Sequence, residues 1–178
     1  MLEDGSVYEG TARGDFKETA CEIVFNTSMT GYVEILTDPS YAGQGVVMTY
    51  PMIGNYGISR EDFESERLQP SAFIVHELSS DPSNFRCTDT IENLLKEYNI
   101  PCISGVDTRA VVKKLRESGT MRGVLTSDIG DRERLMDVIK SFRQIGLVGS
   151  VTGKQTKVYG EENTGAEIAL IDFGTKRN

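Results

Sequence analysis

The sequence predicts a mixed α/β domain, strand-rich in its first half and alternating helix with strand in its second. Three observations carry this. Short runs rich in β-branched and aromatic residues fall at 22–26, 45–50 and 71–78. Apolar residues recur at helical spacing in 90–98, 107–119 and 131–144. Two further short apolar runs, 101–106 and 121–126, separate those helices. Such a rhythm implies β and α/β layers in one compact unit.

The elements follow in order. Leu2-Glu-Asp-Gly-Ser-Val-Tyr-Glu-Gly10 reads as strand, turn, strand, because Asp4-Gly5 is the favoured dipeptide of a type I′ hairpin. Glu22-Ile-Val-Phe-Asn26 is a short strand. Residues 26–41 crowd hydroxyls, Gly31, Tyr32 and an Asp38-Pro39-Ser40 turn into one span. Polar groups at that density enter a core only if each finds a partner. The span is therefore expected as a surface loop offering hydroxyls and amides to a ligand or a partner domain. Residues 45–50 form a buried strand ended by Pro51, and Ile53-Gly-Asn-Tyr-Gly57 is a glycine-punctuated loop. Gly31 and Gly57 read as backbone positions needing positive φ or close approach. Ser59-Arg-Glu-Asp62 has the form of a capping box and starts one helical turn. Residues 71–78 alternate as a strand, with Phe73 and Val75 on one face and Ile74 and His76 on the other. Asp81-Pro-Ser-Asn84 is a turn.

Residues 90–98 form a helix with Ile91, Leu94, Leu95 and Tyr98 on one side, and 101–106 a strand. The helix over 107–119 opens at Asp107 or Thr108 and closes at Gly119. Residues 121–126 are a strand. The helix over 131–144 aligns Leu135, Val138, Ile139 and Phe142. Residues 146–165 are rich in Gly, Thr, Ser, Lys and Glu without apolar periodicity, which marks a linker. Ala166-Glu-Ile-Ala-Leu-Ile-Asp-Phe-Gly174 then begins a buried strand of the parallel-sheet type. One strand makes no domain, so the division expected is a domain over 1–146, a linker over 147–165, and the first strand of a second, truncated domain over 166–178.

Composition bounds the chemistry. The chain has 178 residues, 38% hydrophobic and 26% charged, enough for a substantial core. A net charge of −8 argues against a nucleic-acid partner, which needs clustered cations. The local clusters Lys113-Lys-Leu-Arg116 and Arg132–Arg134 sit among acids on helices and read as solvated faces. The apolar runs are too short to span a bilayer, and the first residues carry no secretory signal, so no membrane partner and a cytoplasmic location are expected. Cys21, Cys87 and Cys102 lack the spacing of a disulfide framework or a metal site. Cys21 and Cys102 lie in strand-like runs and read as small hydrophobes. His76, the one histidine, is assigned no role. No G-x-x-x-x-G-K loop or nucleophile motif occurs, which weakens a small stand-alone enzyme.

A set of motifs in fixed order resembles a known family. They are Leu2-Glu-Asp-Gly5, Val24-Phe-Asn-Thr-Ser-Met-Thr-Gly-Tyr32, Glu34-Ile-Leu-Thr-Asp-Pro-Ser-Tyr41, Thr49-Tyr-Pro-Met-Ile-Gly-Asn-Tyr-Gly57, Ser83-Asn-Phe-Arg86, Gly105-Val-Asp-Thr-Arg109 and Asp172-Phe-Gly-Thr-Lys-Arg-Asn178. Together they are similar to the N-terminal domain of the small, glutamine-hydrolysing subunit of carbamoyl-phosphate synthetase, a ligase. The resemblance implies a layered β/β/α swivelling domain that docks on the large subunit. It implies a second, class I glutamine amidotransferase domain with a Cys-His-Glu triad, of which 166–178 is the start. Ammonia released there travels to the large subunit, which uses bicarbonate, ATP and a divalent metal to make carbamoyl phosphate for arginine and pyrimidine synthesis. None of the three cysteines matches the nucleophile motif, so no catalytic residue, cofactor or metal site is expected in this chain, and it is expected to be inert alone.

The resemblance places one substrate contact here: Ser40, matching a serine that reaches the glutamine site. Read from the residues, Ser40 either binds a ligand, since a hydroxyl can donate to a carboxylate and accept from an amine, or merely closes its turn. Arg109 either pairs with a partner-subunit carboxylate, or the Asp107-Thr-Arg109 run serves an internal salt bridge or a cap contributed by Asp107. The alternative function is a free-standing protein-interaction module, for which the apolar run 168–173 has no use.

Overall fold

The computed structural model describes residues 1–160, 165 and 168–177. In chain order the elements are β1 (Thr11–Arg13), β2 (Thr19–Asn26), α1 (Tyr32–Thr37), β3 (Gln44–Met48), β4 (Met52–Ile53), β5 (Ala72–Ile74), β6 (Glu77–Leu78), α2 (Ile91–Glu97), β7 (Cys102–Ser104), α3 (Thr108–Ser118), β8 (Met121–Leu125), α4 (Arg132–Ser141) and α5 (Leu147–Val151). Single 3-10 turns lie at Pro39–Tyr41 and Arg60–Asp62. Six strands form one mixed sheet in the order β1-β7-β5-β3-β2-β8, and β4 pairs with β6 in a small second sheet. The inner strands β2, β3, β5 and β7 are parallel, and the edge strands β1 and β8 are antiparallel to their neighbours.

Side-chain alternation along the strands divides the core in two. Val46, Met48, Phe73, Val75 and Cys102 point to the face covered by Tyr32, Val33 and Leu36 of α1 and Ile91, Leu94 and Leu95 of α2. Cys21, Ile23, Val47, Ala72, Ile74, Met121 and Leu125 point to the other face, against Val111 and Leu115 of α3 and against Leu2. Leu135 and Ile139 of α4, both fully buried, close over Val124. Three helices begin at side-chain caps: Thr90 accepts the Asn93 amide (3.2 Å), Asp107 that of Ala110 (2.9 Å) and Asp131 that of Arg134 (2.9 Å).

Several expectations need correction. The Asp4-Gly5 turn forms, but no hairpin follows it. Leu2 bridges instead to Gly123, and the Glu3 amide donates to the Arg122 carbonyl (2.9 Å), so the first residues cover the outer edge of β8. Residues 26–41 are a surface loop only at 27–30; α1 follows and is buried. Residues 71–78 are two strands, because the chain leaves the large sheet after Ile74 and joins β4 at Glu77. The faces expected for Phe73, Val75 and Ile74 hold, and His76 is exposed. The turn after Ser59 forms without the capping box, since the Ser59 side chain makes no cap bond. Phe142 caps α4 and packs with the α3 side of the core rather than with Leu135.

The segment expected as linker opens with α5. Its residues 161–164, and residues 166, 167 and 178 of the stretch expected as a new strand, lie outside the described residues. Residues 168–173 join no sheet, and Ile168 (91% exposed) and Phe173 (67%) are not buried. A strand needs a ladder partner, and the β8 edge is already taken by the N-terminal segment. No helix among the described residues is long and apolar enough to cross a membrane.

Candidate functional site

The turn carrying Ser40 is built by its sequence. Asp38 ends α1 in extended backbone, and Pro39 fixes the first position of the 3-10 turn. The Ser40 amide donates to Asp38 Oδ1 (2.8 Å), the Tyr41 amide to the Asp38 carbonyl (3.0 Å) and the Ala42 amide to the Pro39 carbonyl (3.1 Å). Asp38 and Pro39 are buried, and Ser40 is exposed at the tip. The turn is thus closed by the Ser40 backbone and the Asp38 carboxylate.

Asp38 also ties the turn to the far end of the chain, through an ion pair from Asp38 Oδ2 to Lys176 Nζ (2.6 Å). Burial alone raises the Asp38 carboxyl; its hydrogen bonds to Lys176 and Ser40 outweigh burial and hold it below the usual carboxylate value. The same bond raises Lys176. Residues 172–177 are folded for this approach. Asp172 Oδ1 accepts the Gly174 and Thr175 amides (2.7 and 2.8 Å), and Oδ2 accepts the Gly153 amide (3.1 Å). These backbone donors keep Asp172 below the ordinary carboxylate range. Gly174 rests against Val151 and Pro39, and the Arg177 amide donates to the Glu64 carbonyl (2.9 Å).

Both ends of α1 are pinned. At its C-terminus the buried Thr37 hydroxyl donates to the Val33 carbonyl (2.8 Å) and accepts the Glu64 amide (2.9 Å), while the Ser65 hydroxyl donates to the Thr37 carbonyl (2.6 Å). At its N-terminus Gly31 supplies no side-chain cap. Tyr56 Oη accepts the Gly31 amide (2.7 Å) and the Tyr32 amide (3.3 Å) instead. Tyr32 Oη returns the contact, accepting the Tyr56 amide (3.2 Å) and donating to the Gly57 carbonyl (2.7 Å). The two rings stack with centroids 4.1 Å apart. Burial raises both phenols, so each stays a neutral donor and acceptor. Beyond the turn, Tyr41 Oη accepts from Asn26 Nδ2 (2.9 Å).

Other sequence candidates lie apart. Cys21 and Cys102 are buried, and burial pushes both thiols up to about 12, which suits small hydrophobes rather than nucleophiles. Asp107 is a helix cap, and Arg109 is exposed without an ion pair among the described residues. His76 Nδ1 lies 3.1 Å from the Val106 carbonyl. An open cleft lined by Ser59, Arg60, Glu61, Arg86, Thr88 and Asp89 has its cations paired, Arg60 to Glu97 and Arg86 to Glu61 and Asp62. No group of three or more His, Cys, Asp or Glu among the described residues is arranged to hold a metal ion. Residue-level reading did not find Thr37, Tyr56 or Lys176, although all three stand inside motifs it singled out.

Comparison with known proteins identifies the family. The family model for the carbamoyl-phosphate synthase small chain, CPSase domain, matches residues 1–125. The carbamoyl phosphate synthase small chain of Clostridium perfringens is 46% identical over 179 residues, covering 100% of this chain and 50% of that protein. That of Caldanaerobacter subterraneus subsp. tengcongensis is 48% identical over 176 residues, 99% of this chain and 47% of its own. That of Archaeoglobus fulgidus is 47% identical over 180 residues, 98% of this chain and 49% of its own. The chain spans about half the length of these curated relatives. With both stretches that build the α1 clasp and the Ser40 turn inside the matched region, the chain belongs to the carbamoyl-phosphate synthase small-chain family.

Proposed function

We propose that this chain is the N-terminal domain of the small subunit of a glutamine-hydrolysing carbamoyl-phosphate synthase, a cytoplasmic ligase. It docks on the large subunit and completes the glutamine site with Ser40. The triad belongs to the amidotransferase domain that residues 166–178 begin, after a docking domain over 1–146 with the layered β/β/α swivelling fold and a linker over 147–165. The large subunit supplies ATP and metal chemistry and turns the released ammonia into carbamoyl phosphate for arginine and pyrimidine synthesis. This chain's own contribution is binding and orientation.

One observation carries the reading. Ser40 stands exposed on a turn locked by Asp38, and that carboxylate is paired with Lys176, inside the segment read as opening the amidotransferase domain. The turn and the entry to the next domain are thereby fixed against each other. The hydroxyl can donate to the carboxylate of bound glutamine or accept from its ammonium. A hydrogen bond to a charged group contributes about 1.5–3 kcal/mol. Ser40→Ala in the full-length small subunit, assayed with the large subunit, is therefore expected to raise the glutamine KM by about tenfold or more with kcat little changed. An unchanged KM refutes the ligand role. The 178-residue chain, mixed with the large subunit at micromolar concentration, is expected to co-elute with it and to hydrolyse no glutamine. Failure to co-elute refutes the docking role.

A further inference from the structure

The backbone bonds of residues 38–42 fix the shape of the Ser40 turn, but they do not fix how the turn is tilted against the sheet. Neighbouring groups do that: the Gly43 amide donates to the Gln69 carbonyl (3.1 Å), Gln144 Nε2 donates to the Ala42 carbonyl (2.8 Å), and side chains hold the turn on either flank of Ser40. On one side are Thr37 and the Asp38–Lys176 pair described above. On the other is Tyr41, the residue after Ser40. Its ring packs against the core, and its hydroxyl accepts the hydrogen bond from Asn26 Nδ2 (2.9 Å). Asn26 is the last residue of β2 and is itself immobilised. It lies opposite Met48 in the ladder, and its carbonyl accepts the Thr49 amide (3.0 Å). Its Oδ1 accepts the Ser28 amide (2.7 Å), which leaves only the NH2 group to face Tyr41. The end of an inner strand is thus wired to the residue adjoining the exposed hydroxyl.

We propose that Asn26 and Tyr41 are positioning residues for glutamine: they touch no substrate, and their hydrogen bond sets the direction in which the Ser40 hydroxyl points. The proposal rests on the glutamine-site reading of Ser40. A hydroxyl that must meet a ligand's charged group tolerates little misdirection, so loss of this bond reads out in binding.

The test uses the full-length small subunit assembled with its large subunit. Tyr41→Phe keeps the ring and removes only the hydroxyl. It is expected to raise the glutamine KM about two- to tenfold, the equivalent of one neutral hydrogen bond, with kcat unchanged. Asn26→Ala is expected to match it, and the double variant to exceed neither. Asn26→Asp keeps an acceptor for the Ser28 amide and lets Tyr41 donate in the reverse sense, so it is expected to restore a near-normal KM. In a Ser40→Ala background, Tyr41→Phe is expected to have no further effect. A lowered thermal midpoint with unchanged KM in Tyr41→Phe shows the bond to be structural only and overturns the proposal. So does a KM rise that persists undiminished without the Ser40 hydroxyl. If Ser40→Ala itself leaves KM unchanged, both the proposal and the reading beneath it fall. If Ser40→Ala raises KM and Tyr41→Phe does not, only the positioning proposal falls.

Discussion

Gly57 offers the sharpest stability test, because two separate costs meet at one atom. Its φ is +69°, in the left-handed region, so any Cβ there costs about 1–2 kcal/mol. Its space is also taken. A Cβ built on Gly57 falls on Cys87 Sγ, with Cys87 Cβ and the Asp89 carbonyl 3.0 Å away. Overpacking of that kind costs about 1–3 kcal/mol. Gly57→Ala is therefore expected to lose about 2–5 kcal/mol. Gly31 is the internal control. Its φ is +81°, yet its nearest neighbours are the Glu34 carboxylate atoms at 3.7–3.8 Å, an ordinary contact. Gly31→Ala is expected to lose only the conformational part, about 1–2 kcal/mol. Chemical denaturation of the three proteins, with midpoints compared at equal slope, separates the two parts. Cys87→Ala removes the sulfur and is expected to recover part of the Gly57→Ala loss. Equal losses at Gly57 and Gly31, or no relief from Cys87→Ala, refute the steric argument.

Tyr32→Phe leaves the Gly57 carbonyl and the Tyr56 amide without their partner and is expected to cost about 1–3 kcal/mol in the same denaturation assay. Glu18 is held at about 2, from an ordinary 4.5, by its hydrogen bonds to the Arg134 guanidinium and the Thr126 hydroxyl. Its folded-state value lies below its unfolded value, so its contribution is complete above the unfolded value and fades as pH falls toward the folded one. Glu18→Gln is expected to lower stability slightly at neutral pH and to flatten the loss between about pH 4.5 and pH 2; an unaltered acid profile contradicts the pairing. Thiol titration of the native protein at mildly alkaline pH is expected to modify Cys87 alone, and all three cysteines after denaturation. Native reaction at Cys21 or Cys102 contradicts their burial.

What could be read from the sequence follows from how many residues each pattern needs. The helices α3 and α4 each run ten residues or more, long enough for a 3.6-residue period, and Asp107, Asp131 and Thr90 act as the caps their residue type suggests. Helix α1 has six residues. That is under two turns, and its Thr37 and the neighbouring Ser28, Thr30 and Ser40 resemble loop composition. Its polar groups enter the core because distant backbone receives them: Gly57 and Glu64 lie 25 and 27 residues away from Tyr32 and Thr37. No local window contains that information. Strand β1 is three exposed residues with no apolar alternation, and it exists because β7 offers an edge. The run 71–78 has a correct alternation but crosses from one sheet to another at Val75 and His76, a change that periodicity does not register. The Asp-Pro-Ser turn was legible as a turn from Asp38 and Pro39. Its link to Lys176 was not, because 138 positions separate the partners and neither residue type signals the other.

The N-terminal staple on β8 has a consequence for how the chain acquires its fold. Arg122 and Glu3 are 119 positions apart, and β8 also completes the antiparallel pairing with β2 from nearly a hundred residues away. During synthesis the N-terminal segment and one edge of β2 must wait, uncovered, until β8 has left the ribosome. Closure over such separations is expected to slow folding relative to a chain of local contacts. Variants that weaken β8 are thus expected to expose the nascent chain to aggregation and proteolysis before they measurably change the finished protein.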